Sequence, residues 1–159
     1  MFERRRIQAS GDGSVRLRLP REERELLRTL PAQLRSLLDE APDDPSLERL
    51  FPPAYDDADS EAEYRGLMRD ELLDGRRRAL ATLEETLDQD RLSPEQAQAW
   101  LTALNDLRLV LGTRLDVRDD ELLERVDPAD PRAPALGLYA YLSWLQEQLV
   151  EALEADLQL

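Results

Sequence analysis

Apolar and polar residues alternate at the start of the chain and then settle into a helical rhythm. Val15, Leu17 and Leu19 alternate with Arg16 and Arg18, and "GDG" at 11–13 supplies residues that tolerate positive φ. This predicts a β-hairpin over 2–19 with one apolar face and one face of arginines. Pro20 opens a helix with Glu22 and Glu23 in its first turn. Leu26, Leu27, Leu30, Leu34, Leu37 and Leu38 follow at helical spacing, with a kink or break expected at Pro31. Residues 40–60 are rich in proline and aspartate and read as a long connection, pinned by Leu47, Leu50, Phe51 and Tyr55.

Ser60 and Glu63 form a capping-box signature for a helix over 61–88, carrying Tyr64, Leu67, Met68, Leu72, Ala79, Leu83 and Leu87. The run "GRRRA" at 75–79 weakens its middle. "LSPEQAQAW" is the clearest start signal: Ser93 caps, Pro94 takes the first helical position and Gln96 completes the box. That helix is expected to reach Leu111 and stop at Gly112. An acidic stretch with a short helix "RDDELLERV" leads to a last helix from Pro131 to Leu157, capped by Asp130. The fold class expected is mainly α: an orthogonal or up-down helical bundle of four main helices with an N-terminal β-hairpin, in a single domain of 1–159.

Three polar residues interrupt the apolar arcs. Arg108 falls among Ala97, Trp100, Leu101, Leu104, Leu107 and Leu111, with Asn105 at the edge of that arc. Gln146 sits at the centre of Ala135, Leu138, Tyr139, Leu142, Leu145, Leu149 and Leu153; Glu71 lies among Tyr64, Leu67 and Met68. An arginine stays charged in a protein interior and needs a carboxylate or carbonyls. The leading reading is a structural polar cluster of Glu71, Asn105, Arg108 and Gln146 that fixes helix register; a ligand site is the alternative. Tyr141 and Trp144 flank the last arc, which fits a second buried face or a homodimer contact.

Composition narrows the chemistry. The 159 residues contain no histidine and no cysteine, so the commonest acid–base group, thiolate catalysis and disulfides are all missing from them. No glycine-rich phosphate loop, nucleophile elbow or dinucleotide fingerprint is present, and Ser143 has no histidine to activate it. Asp116, Asp119, Asp120, Glu121, Glu124 and Asp127 lack the alternation and glycine of a calcium loop. We therefore expect no enzyme, no metal and no cofactor. With neither an apolar leader nor a membrane span in the sequence, the expected location is cytoplasmic.

Charge adds a direction. The net charge is −14, yet residues 1–28 hold eight arginines against five acids, a net of +3. Arg4, Arg6, Arg16 and Arg18 form a basic ribbon that could contact a partner or DNA. The acidic body disfavours direct DNA binding and favours docking onto the protein's own acids or onto an acidic partner protein.

The string "AWLTALNDLRLVLGTRL", followed by a proline-led "LYAYLSWLQEQLVEAL", resembles the signature of an actinobacterial family of oxidative stress transcriptional regulators, formerly domain of unknown function 2017. "LPREERELLRTLPAQLRSLL", "LERLFPPAY" and "EAEYRGLMRDELL" extend the likeness over nearly the whole chain. The resemblance implies a regulator that acts on transcription through a protein partner such as a sigma factor or RNA polymerase, with promoter DNA as a further contact. Members encoded beside protease-adaptor and cysteine-synthesis genes imply the alternative of an adaptor or assembly protein. A redox-sensing regulator would be expected to use cysteine, and none occurs in these residues.

Overall fold

The computed structural model describes residues 5–41, 43–50, 58–116 and 128–157. Arg4, Phe51, Tyr55 and the acidic segment 117–127 lie outside them, as do the side chains of Glu63, Tyr64, Leu67 and Met68. The described chain is mainly α, with five α-helices and a small antiparallel sheet.

The hairpin forms where the alternation places it, with β1 (Ile7–Ala9) antiparallel to β2 (Val15–Leu17) and Ile7 opposite Leu17. Gly11 and Gly13 both take positive φ, and Asp12 Oδ1 accepts from the Ser14 amide at 3.0 Å, closing the turn. Ile7, Val15 and Leu17 point into the core. A third strand, β3 (Arg91–Leu92), joins the far side of β2 with Leu92 opposite Val15. Two residues carry no legible alternation, so this strand is set by tertiary packing of the buried Leu92.

The leucine run after Pro20 divides into α1 (Arg21–Arg28) and α2 (Leu30–Glu40), separated at Thr29. The break precedes Pro31 by two residues because proline fits the first turn of α2, where its missing N–H is not needed. A 3₁₀-helix (Pro45–Leu50) then buries Leu47 and Leu50. The next helix, α3 (Ala58–Thr86), starts ahead of Ser60, so that serine lies inside the helix and not at its cap. It also passes uninterrupted through "GRRRA".

Ser93 caps α4 (Pro94–Leu115): its Oγ accepts from the Gln96 amide at 3.2 Å, and Gln96 Oε1 accepts from the Ser93 amide at 2.9 Å. Here the expected stop is corrected. The helix continues through Gly112 to Leu115 and ends on Asp116 in the left-handed region at φ 54°. Gly112 serves close packing instead, since a Cβ there would lie 2.8 Å from Cε2 of Tyr139. That tyrosine belongs to α5 (Ala133–Leu157), which starts two residues after Pro131. Asp130 organises the turn before it, accepting from the Arg132 amide at 2.8 Å.

Helix α4 is the axis of the bundle, packed against α3, α5, α2, the 3₁₀-helix and β3. Trp100, Leu104, Leu80, Leu83, Leu145 and Leu149 are fully buried around it. The Trp100 indole N–H donates to Thr86 Oγ1 at 2.7 Å, and the Thr86 hydroxyl donates to the Thr82 carbonyl at 2.6 Å. Each such large apolar side chain contributes roughly 1.5–3 kcal/mol when fully buried.

Candidate functional site

Two polar assemblies stand out against this leucine-rich body, one around α4 and one on the hairpin. At α4 the structure brings three of the four predicted cluster residues together. Asn105 Oδ1 accepts from an Arg108 guanidinium N–H at 3.3 Å and from the Gln146 amide at 3.2 Å. Glu71 is exposed, and Arg108 makes no ion pair among the described residues. The buried carboxylate of the region is Asp106, whose Oδ1 accepts from the Arg76 guanidinium at 2.7 Å. Arg76 also donates to the Leu50 carbonyl at 2.7 Å, tying α3, α4 and the 3₁₀-helix together.

Asp106 is 1% exposed, and its Oδ2 is buried with no hydrogen-bond partner. Burial drives its carboxyl up to about 6 although Arg76 pulls the other way, so desolvation outweighs the single ion-pair contact. A one-arc reading of α4 misses this residue. Asp106 shares its face with Ala103 and Val110, which are buried as well, because α4 is packed on more than one side. The visible signal was "GRRRA": arginines in mid-helix imply carboxylates that face them.

On the hairpin, the arginines meet two different environments. Arg6 turns inward and donates to Glu23 from Nε at 3.1 Å to each carboxylate oxygen and from an Nη at 2.9 Å. Its guanidinium lies 5.4 Å from the Trp144 ring centroid, and the Tyr141 hydroxyl donates to Glu23 Oε1 at 2.6 Å. Hydrogen bonding to Glu23 holds the Arg6 pKa above its ordinary value; burial, followed by the Glu23 contact, raises that of Tyr141. Gln148 Oε1 completes the clasp by accepting from the Arg6 and Ile7 amides at 2.6 and 3.1 Å. On the aromatic flank of α5, Trp144 thus meets the hairpin through Arg6, and Tyr141 meets α1 through Glu23.

Arg16 and Arg18 share the sheet face of Arg6 but stay in solvent. Both are exposed, and neither makes an ion pair with a described residue. Arg16 lies directly across from Arg91 on β3, and the two line an open groove with Arg18 and Arg24. Arg24 is internally engaged, donating to the carbonyls of Leu19, Leu87 and Gln89 at 2.9, 2.6 and 3.1 Å. Arg91 faces Asp12 at 3.9 Å, the outer limit of an ion pair. Arg91 joins Arg16 and Arg18 only through the two-residue β3, which no local sequence pattern marks.

Among the described residues no group of histidine, cysteine, aspartate or glutamate is arranged to hold a metal, and no helix is long and apolar enough to cross a membrane.

Comparison with known proteins agrees with the residue pattern. Over 132 residues the chain is 37% identical to the putative oxidative stress regulator AosR of Mycobacterium leprae, covering 72% of this chain and 60% of that protein. It is 35% identical over 127 residues to the oxidative stress regulator AosR of Mycobacterium tuberculosis and of Mycobacterium bovis, covering 69% of this chain and 58% of each. The chain thus spans about 60% of the length of the curated relatives it matches. No solved structure matches it. Residues 4–153 match the model of the family Domain of unknown function (DUF2017), and the chain belongs to that family.

Proposed function

We propose that the protein is a non-enzymatic, transcription-linked regulator of the oxidative stress response. It works in the cytoplasm through a protein partner, a sigma factor or RNA polymerase, and the outward arginines of the hairpin provide the contact. The observation that carries this reading is the division of the hairpin: Arg6 is consumed by Glu23 and Trp144, while Arg16 and Arg18 are left to solvent. The names of the relatives as oxidative stress regulators support the class of role. Direct binding to promoter DNA is secondary in this reading, because the net charge of −14 repels a phosphate backbone. The Asn105–Arg108–Gln146 cluster is a helix fastener with no part in the contact.

The signal does not pass through a disulfide of these residues, which contain no cysteine. Affinity capture from the native cell tests the proposal. Recovery of RNA polymerase or a sigma factor supports it. Recovery of a protease or of cysteine-synthesis proteins in their place supports the alternative role of adaptor or assembly protein.

A further inference from the structure

The outer face of the sheet carries a cost that folding alone does not explain. Register pairs Arg16 with Arg91, and the Leu17 amide donates to the Asp90 carbonyl at 2.8 Å in the neighbouring pair. Antiparallel pairs alternate between bonded and non-bonded types, so Arg16 and Arg91 form a non-hydrogen-bonded pair, in which side chains come closest. Like charges directly opposite one another on a sheet are destabilising. Arg18 follows just past the end of β2, and among the described residues the carboxylate in ion-pair range of these three guanidiniums is Asp12, at 3.9 Å from Arg91. Arg16 and Arg18 thus have no carboxylate in range among the described residues, and Arg91 has one only at the outer limit of an ion pair.

Two features select its chemistry. Exposed acids edge the patch: Asp90, with its side chain 93% exposed, lines the same groove, and Asp12 lies beside Arg91. A duplex carries phosphates along its whole length and meets these acids and the rest of the −14 chain, whereas a short acidic segment brings its charge only to the arginines. The groove also contains no aromatic side chain on which a base could stack. Its lining guanidiniums supply forked donors of the kind that match carboxylates.

We infer that Arg16, Arg18 and Arg91 form one docking face for an acidic segment of a partner protein, held by guanidinium–carboxylate contacts. This rests on the proposed role of the hairpin as a partner surface and adds Arg91 and the class of ligand to it.

The experiment is a fluorescence-anisotropy titration of the full chain with a labelled hexaglutamate peptide and, separately, a short DNA duplex, at low and moderate salt. Wild type is expected to bind the peptide more tightly than the duplex. The variant Arg16→Ala/Arg18→Ala/Arg91→Ala should weaken peptide binding by at least about tenfold, whereas Arg78→Ala, an exposed arginine on α3 outside the face, should change it less than about twofold. Circular dichroism checks that the triple variant folds; Arg91→Ala alone, also expected to weaken binding, serves if it does not. Peptide binding that is equal in wild type and variant, or absent from both, overturns the inference. Tighter duplex binding that the triple variant abolishes also overturns it, while leaving the hairpin as a partner surface. Failure of that broader reading would be seen separately, if affinity capture recovered the same partners with and without the three arginines.

Discussion

Arg6, just ahead of β1, and Arg16, in the middle of β2, belong to one hairpin and have opposite fates. Arg6 meets Glu23 through three hydrogen bonds, lies over Trp144 and is 14% exposed. Arg16 meets another arginine, Arg91, and faces water. A second inward arginine, Arg76, repeats the first pattern in the bundle by pairing with the buried Asp106. Residue type does not assign a cation to structure or to contact; the nearest carboxylate does. An inward arginine ties elements that are far apart in sequence, and removing it strands a partly or fully buried acid. Arg16 and Arg18 make no ion pair with a described residue, so their removal should be harmless until a partner is present.

The widest separation between the two classes should come from Arg76→Ala. It leaves Asp106 buried without its cation, a loss of about 3 kcal/mol at pH 8 by urea denaturation. The penalty should shrink at pH 5, where Asp106 takes up a proton. Wild type should itself show the next largest effect. The carboxyl of Asp106 stands at about 6 in the folded protein against an ordinary 3.8, so the folded state holds that proton more tightly than the unfolded one. The stability it contributes is complete below about pH 4 and is lost as pH rises through about 6, on the order of 2–3 kcal/mol. Asp106→Asn should flatten this part of the profile when unfolding is followed from pH 4 to pH 7.

Arg6→Ala comes third. Loss of the Glu23 bonds and the contact with Trp144 should cost about 1–2 kcal/mol. The quenching environment of Trp144 should change with it, which tryptophan fluorescence would report. If Arg6→Ala were neutral in stability, the distinction between inward and outward arginines would lose its clearest example.

The sequence made the bundle legible wherever one face of an element does one job. The alternation of Val15 and Leu17, the capping box at Ser93 and the leucines of α2 all map onto observed elements because a single surface decides each. It misled where two surfaces compete. Gly112 has the chemistry of a helix stop, but the close approach of Tyr139 keeps it inside the helix. The helical arcs offer Glu71 as the carboxylate for Arg108, yet it is exposed, while Asp106 is buried because α4 is surrounded. Arg91 was invisible for a related reason: β3 exists only through its pairing with β2, and no local pattern announces a two-residue strand.

The central claim is that Arg16, Arg18 and Arg91 are held for a partner and not for the fold. The melting temperature of Arg16→Ala/Arg18→Ala/Arg91→Ala, measured beside wild type without any ligand, tests it most directly. Relief of the repulsion between Arg16 and Arg91 should leave the variant as stable as wild type or more so, within about 0.5 kcal/mol or above it. A variant that melts several degrees lower would show that these arginines support the fold, and would contradict the account.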